Sequence, residues 1–150
     1  MRKISRSALV PYSVSEMYSL VADFESYPSF LPWCNDARIV VRDGDTVEGT
    51  LEMHRGGLSR HFTTRNVLTT DKSISMDLVN GPFRTLTGGW GFLALGNAGS
   101  KVMLDLEFEF ENRMTDKILG RFFENTCNSL VDAFVQRASL MYGPGRGGHG

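Results

Sequence analysis

Between Ala37 and Phe110 the chain alternates apolar and polar residues with a period of two, which is the periodicity of a β-strand. Short turn signals rich in Gly, Asp, Asn and Pro interrupt the alternation, and they leave six predicted strands: 37–43, 46–55, 60–70, 73–79, 84–95 and 101–111. Links this short join only antiparallel neighbours, since a parallel connection needs a crossover of a dozen residues or more. The sequence therefore predicts a continuous antiparallel sheet.

The last of these strands shows which face of the sheet is buried. Its apolar side chains fall on one face: Val102, Leu104, Leu106, Phe108 and Phe110. Its acidic side chains fall on the other: Asp105, Glu107, Glu109 and Glu111. An antiparallel sheet with this pattern has one face against a core and one face in water.

Residues 115–142 form a broad apolar stripe at helical spacing, and they predict one helix about 40 Å long. The stripe has to cover the apolar face of the sheet. Because a twisted seven-stranded sheet curls, we expect a space between sheet and helix that suits a ligand. The predicted domain spans residues 1–142, followed by a flexible Gly-rich tail at 143–150.

The N-terminal part predicts a strand over 3–10 and two short helices before the sheet continues. Ser13 and Glu16 form a capping box at the start of the first helix, and the apolar spacing carries it to Phe24. The second helix is expected at about 26–31. The predicted fold class is α+β, with a curved seven-stranded antiparallel sheet around a long C-terminal helix.

Composition excludes several function classes. The 150 residues suit one domain, and a net charge of −1 argues against nonspecific coating of nucleic acid. The two cysteines, Cys34 and Cys127, have no metal-ligand spacing. The start has no apolar segment typical of a secretory signal, and no run approaches the roughly 18 residues that span a bilayer. These features predict a cytoplasmic protein that contacts the inner membrane at most peripherally.

Two sequence motifs give this chain a specific resemblance to a known protein family. The segment Tyr27–Cys34 reads Tyr-Pro-Ser-Phe-Leu-Pro-Trp-Cys, and the segment Gly81–Phe92 reads Gly-Pro-Phe-Arg-Thr-Leu-Thr-Gly-Gly-Trp-Gly-Phe. With the element order, they resemble the coenzyme Q-binding family of the polyketide cyclase/START-like (helix-grip, SRPBCC) superfamily. That branch includes mitochondrial coenzyme Q chaperones and the bacterial ribosome-association toxin. The resemblance implies a hydrophobic tunnel for a polyisoprenoid quinone such as ubiquinone, a non-catalytic role in respiration, and no cofactor.

The predicted ligand-binding residues come from the inward faces of the strands, the long helix and the aromatic segment after the first helix. They are Tyr27, Phe30, Leu31, Trp33, Leu51, Met53, Phe62, Thr64, Asn66, Met76, Leu86, Trp90, Phe108, Phe122, Leu130 and Phe134. Thr64 and Asn66 are the polar members, and we expect one of them to donate a hydrogen bond to a quinone head. The aromatic segment 27–34 is either a movable lid or a plug in the open end of the grip.

Catalysis is not expected, because the predicted interior offers no good general base. His54 and His61 flank the Gly56–Gly57 turn, where they are either a facing pair or ordinary residues of the hairpin end and outer face. An enzyme of the polyketide cyclase or aromatase type is the weakest of three functional hypotheses.

Ribosome binding is the main alternative to quinone binding, because the same resemblance covers both. Scattered arginines on the strands either gather into a patch for rRNA phosphates or lie on an ordinary solvated face: Arg38, Arg42, Arg55, Arg60, Arg65 and Arg84.

Overall fold

The computed structural model describes residues 1–143, so most of the predicted Gly-rich tail, residues 144–150, lies outside the described residues. The sheet has seven antiparallel strands: β1 (Arg2–Val10), β2 (Cys34–Asp43), β3 (Thr46–Arg55), β4 (Leu58–Thr69), β5 (Ser73–Asn80), β6 (Phe83–Ala94) and β7 (Ser100–Phe110). Their order across the sheet is β1-β7-β6-β5-β4-β3-β2. The prediction of a single antiparallel sheet is confirmed, with β2 and β4 starting two or three residues earlier than expected.

Burial confirms the predicted faces of the strands. The five apolar residues of β7 are all buried, whereas its acidic residues are partly or fully exposed. The same parity holds in much of the sheet, where the inner residues of β3 and β4 include the buried Leu51, Phe62 and Asn66. Period two in the sequence therefore predicts which side chains face the core, except where a bulge shifts the register.

Two short helices follow β1, as predicted. The helix α1 (Val14–Ala22) has the expected capping box, in which the Glu16 amide donates to Ser13 Oγ at 3.1 Å and the Ser13 amide donates to Glu16 Oε1 at 3.0 Å. The second is a 3-10 helix (Phe24–Ser29) that begins two residues before the predicted one. Pro28 lies inside it, as the fifth of its six residues.

The C-terminal helical segment spans 113–142 rather than 115–142, and it is not uniform. A turn of α-helix, α2 (Arg113–Thr115), passes into a π-helical turn (Asp116–Gly120) and then into α3 (Arg121–Tyr142). Arg2 of β1 reaches this turn and donates to Asp116 Oδ1 from Nε at 3.0 Å and from Nη2 at 2.7 Å. A Cβ on Gly120 would lie 2.6 Å from Arg2 Nη2, so glycine permits the close approach of a strand side chain.

The sheet wraps around α3, because both of its ends approach the same helix. At one end, Arg6 of β1 lies 4.0 Å from Asp132 of α3. Towards the other end, residues from β2 and β3 share a cavity with Leu130 and Phe134 of α3. No helix within residues 1–143 is long and apolar enough to cross a membrane.

Candidate ligand-binding cavity

A cavity of about 90 Å³ lies between the inner face of the sheet and α3. Its walls come from α1, the 3-10 helix, strands β2 to β7 and α3, and most of its lining is apolar. This volume is below the roughly 300–1,000 Å³ typical of pockets that enclose a drug-sized ligand. The predicted gap between sheet and helix therefore exists, but a long ligand would require the walls to move.

Eleven of the sixteen residues predicted from the sequence line this cavity. They are Tyr27, Trp33, Leu51, Phe62, Thr64, Asn66, Met76, Leu86, Trp90, Leu130 and Phe134. They come together because the inner faces of β3, β4, β5 and β6 converge on the apolar stripe of α3. Ligand binding by these residues stays a prediction.

Phe108, predicted to line the cavity, is instead fully buried in a cluster of five phenylalanines. Its ring centroid lies 4.9 Å from that of Phe123 and 6.3 Å from that of Phe83, and Phe110 and Phe62 complete the cluster. The cluster fills the space between sheet and helix at one end. It therefore closes the cavity there.

The other four predicted residues outside the cavity are Phe30, Leu31, Met53 and Phe122. Leu31 and Met53 are buried in the core, with 2% and 1% of their surface exposed. The Phe30 ring lies beneath Arg137, with the guanidinium 4.9 Å from its centroid. Phe122 is adjacent to Phe123 on α3, so it points away from the cavity into a surface groove.

The lining also includes residues that the sequence reasoning did not select. Four of them lie on the inner faces of predicted strands, where period-two alternation was the signal: Val47, Leu68, Ile74 and Leu106. The rest are Val21, Ala22, Phe24, Ile39, Arg42, Phe123, Thr126 and Cys127. Only packing between distant elements identifies the α1 and 3-10 helix residues among them, since helical periodicity alone does not distinguish a wall from a filled core.

The polar lining is concentrated at Thr64 and Asn66, two residues apart on β4. Both are buried, and the Thr64 hydroxyl donates to Asn66 Oδ1 at 2.9 Å. This bond gives the Thr64 hydroxyl and Asn66 Oδ1 each a partner in an apolar interior, where an unpaired polar group is costly. It leaves the Asn66 amide nitrogen with no protein acceptor among residues 1–143.

The aromatic segment packs onto α3 in the arrangement expected of a plug. The rings of Tyr27 and Phe30 make edge contacts with Phe134, at centroid distances of 5.4 and 5.2 Å. The Tyr27 hydroxyl donates to the carbonyl of Val21, and the His54 amide donates to the carbonyl of Trp33 at 2.9 Å. Lid movement stays a prediction that this packed arrangement does not test.

The ionisable groups of the cavity are unsuited to acid–base chemistry. Burial raises the pKa of the Tyr27 hydroxyl and of the Cys127 thiol well above their usual ranges, so both stay protonated at neutral pH. Arg42 is the third ionisable residue of the lining, and no histidine or carboxylate of residues 1–143 contributes to it. Within the same residues, no cluster of His, Cys, Asp or Glu has the arrangement of a metal site.

A shallow groove adjoins the cavity on the far side of Trp33 and Thr126, which contribute to both. His54 lies in this groove, with Nε2 3.2 Å from the carbonyl oxygen of Pro32. His61 is exposed and lies 3.7 Å from Glu52. The two histidines are not a facing pair, because His54 lies opposite Ser59 in the hairpin register.

Three of the six strand arginines pair with carboxylates. Arg38, Arg65 and Arg84 pair with Asp36, Glu48 and Glu109, at 2.6, 2.9 and 3.5 Å. Arg55 lies over the Phe122 ring and Arg42 faces the cavity. The charge of these arginines is therefore partly compensated, and Arg60 contacts a backbone carbonyl rather than a carboxylate.

Comparison with known proteins places this geometry among characterised folds. The profile of the family described as polyketide cyclase / dehydrase and lipid transport matches residues 10–135. The ribosome association toxin RatA of Escherichia coli (strain K12) is 43% identical over 142 residues, covering 95% of this chain and 90% of that protein. The mitochondrial coenzyme Q-binding protein COQ10 of Drosophila melanogaster is 25% identical over 147 residues, covering 95% of this chain and 61% of that protein.

Solved structures agree on the fold. The Zhui aromatase/cyclase from Streptomyces sp. R1128 superposes with a TM-score of 0.82 at 15% identity, covering 96% of this chain and 98% of that chain. A START superfamily protein from Mycobacterium smegmatis superposes with a TM-score of 0.75 at 24% identity, covering 93% and 98%. The predicted helix-grip, START-like fold is thereby confirmed.

Proposed function

The chain belongs to the polyketide cyclase / dehydrase and lipid transport family, and we propose that it is a non-catalytic binding protein for a polyisoprenoid quinone such as ubiquinone. The observation that carries the proposal is the cavity, which is apolar along most of its walls and closed at one end by phenylalanines. A prenyl tail enters this space and the polar head stays near Asn66. In this role the protein supports respiratory electron transport at the surface of the inner membrane.

The energetics favour partial rather than complete enclosure of the tail. Burying one five-carbon unit gains about 3–4 kcal/mol, at roughly 0.8 kcal/mol per methylene. Association costs roughly 4–15 kcal/mol, so two units barely offset it and three or four bind usefully. The cavity of about 90 Å³ is too small for that length. Binding therefore requires the segment that includes Tyr27 and Trp33 to shift on the surface of α3.

The absence of a general base supports a binding role over catalysis. The thiol and phenol that face the cavity have pKa values raised by burial, and a group that stays protonated does not abstract protons at neutral pH. The name of the family includes cyclases, and two relatives carry the names of a toxin and a binding protein. A cyclase reaction would need an acid–base pair that the described lining lacks.

Extraction of the purified protein with organic solvent, followed by mass spectrometry, tests the proposal. We expect a polyisoprenoid quinone in wild type and its loss in Leu130→Trp, which fills the cavity. The matched control is Leu140→Trp on the same helix, where the side chain is 80% exposed. Protein that yields no quinone, and that takes up none in titration, contradicts the proposal.

Ribosome association is the second candidate, favoured by the 43% identity to a protein named for it. Sedimentation of cell lysates through sucrose gradients tests it. Comigration with a ribosomal subunit, weakening as salt is raised, supports the candidate. A profile confined to the top of the gradient at low salt excludes it. Both roles hold together if the quinone-free form alone comigrates.

A further inference from the structure

A β-bulge in β2 turns one cationic side chain towards the cavity. The pairing of β2 with β3 shifts between Ile39 and Val41, so Val40 is an extra residue without a partner across the ladder. Beyond the bulge, Val41 lies opposite Glu48 on the outer face, and Arg42 lies opposite the buried Val47 on the inner face. Without the bulge, strand alternation from Ile39 would place Val41 on the inner face and Arg42 in solvent.

The bulge is held from outside the sheet. The amide of Ile39 donates to Glu25 Oε2 of the 3-10 helix at 3.2 Å. This hydrogen bond gives the Ile39 amide, beside the bulge, an acceptor, and it fixes β2 against the 3-10 helix. Arg42 itself forms no ion pair or hydrogen bond within residues 1–143. The Arg42 side chain is exposed, so it lies at the rim of the apolar cavity, where a ligand can contact a charge that no acidic side chain satisfies.

Arg42 and Asn66 lie in register across the sheet, with one residue of β3 between them. Arg42 is opposite Val47 on β3, and Val47 is opposite Asn66 on β4. Two strand spacings separate the backbones of Arg42 and Asn66, roughly 10 Å. No enclosed polar side-chain atom of residues 1–143 lacks a partner, so the unpaired Asn66 nitrogen must contact the cavity space.

We propose that Arg42 and Asn66 form a head-group site that binds the oxidised quinone in preference to the reduced quinol. The inference rests on the proposed function. Asn66 Oδ1 already has a partner in Thr64, and the groups of the pair that have no protein partner within residues 1–143 are N–H donors, one of which is cationic. Quinone carbonyls only accept hydrogen bonds, whereas quinol hydroxyls also bring protons that need an acceptor. A quinol hydroxyl that faces these donors has to turn its proton towards another acceptor, which weakens its binding relative to the quinone.

Titration calorimetry with a short-chain ubiquinone, its anaerobically kept quinol and a headless hydrocarbon of the same tail tests the site. We expect wild type to bind the quinone about tenfold more tightly than the quinol, the effect of one lost charge-assisted hydrogen bond. Arg42→Gln should weaken quinone binding about tenfold, remove the preference and leave hydrocarbon binding unchanged. The control Arg60→Gln removes an exposed arginine outside the cavity lining that donates to the carbonyl of its neighbour Ser59, and it should match wild type.

The outcomes separate this site from the proposed function. Equal binding of quinone and quinol by wild type, or unchanged quinone affinity in Arg42→Gln, overturns the head-group site and leaves the quinone carrier intact. Failure of all three ligands to bind wild type overturns both. If a long-chain carboxylate binds more tightly than the quinone, the assignment of a quinone as the head group bound at this site is overturned. Asn66→Leu, with folding checked by circular dichroism, should reduce the preference in the same direction as Arg42→Gln.

Discussion

Phe123 and Phe134 lie eleven positions apart on α3, and they belong to two different aromatic groups. Phe123 contacts the phenylalanine cluster at the closed end, at 4.9 Å from Phe108. The ring centroid of Phe134 lies 5.2 Å from that of Trp90, and Phe134 also contacts the aromatic segment 27–34. The cavity lies between the two groups. Residues of one chemical type therefore fill the core at one place and form a cavity wall at another.

This difference predicts separable effects for two truncations. Phe108→Ala leaves a void in close-packed core, and it should lower the free energy of unfolding by about 3–5 kcal/mol with little direct effect on quinone affinity. Trp90→Ala enlarges an existing cavity, so its loss of quinone affinity should exceed its loss of stability. Urea denaturation and titration of both variants measure the two quantities. Equal affinity losses in the two variants would contradict the assignment of Trp90 to the wall.

The cysteines predict a pH dependence at the residue scale. Burial raises the pKa of Cys34 to about 11, and it raises that of Cys127 further. Reaction with Ellman's reagent at pH 8 should be far slower in folded protein than in urea, because the thiolate is the nucleophile. The unfolded thiols ionise first, near pH 8.5, so this contribution to stability is full below that pH and falls as pH rises towards 11. Rapid labelling of both thiols in native protein would contradict their burial.

At the scale of elements, single irregular positions set the geometry of regular ones. The bulge at Val40 turns Arg42 inward, and the π-helical turn before α3 receives Arg2 from β1. Gly88 in β6 has a φ of +144°, and a Cβ there would lie 2.0 Å from the carbonyl oxygen of Asp105 in β7. Bulges and glycine positions of this kind introduce the curvature that a sheet needs in order to pack around a helix.

Gly88→Ala should therefore be strongly destabilising. The added methyl group combines a disfavoured φ with a backbone clash, and the expected loss is about 2–4 kcal/mol. Gly57→Ala is the matched control, since no atom lies within 4 Å of its Cβ position and its φ is not positive. Thermal unfolding followed by circular dichroism compares the two. A Gly88 variant as stable as the Gly57 variant would show that β6 relaxes without cost.

At the scale of the whole molecule, the two faces of the sheet have different electrostatic roles. The outer face pairs its charges across strands, as Arg65 does with Glu48. The inner face holds a mostly apolar cavity whose polar lining residues include Thr64, Asn66, Thr126 and Arg42. This division fits a carrier whose outside stays hydrated while its inside receives a lipid.

A bound quinone should stabilise the whole fold by mass action. At a free ligand concentration of 100 times Kd the gain is about 2.7 kcal/mol, which raises Tm by about 5–10 °C for a domain of this size. Differential scanning fluorimetry with a short-chain ubiquinone measures the shift. Leu140→Trp should shift as wild type does and Leu130→Trp should not. An equal shift in both variants would place the ligand outside the cavity.

The sequence by itself determined the features that depend on neighbouring residues. Period two along β7, the capping box at Ser13 and the turn signals were enough to predict strands, faces and hairpin order, because side-chain alternation and capping are local. The inward residues of β3 to β6 followed from the same alternation. Eleven predicted residues therefore line the cavity.

Only the tertiary structure decided where the cavity between the sheet and α3 lies. Phe108 has the same parity and chemistry as Leu106, yet Leu106 lines the cavity and Phe108 fills the closed end. The inward turn of Arg42 depends on one unpaired residue in β2, held by a carboxylate from the 3-10 helix. Voids and bulges result from how elements distant in sequence pack against each other, and local periodicity carries no record of that packing.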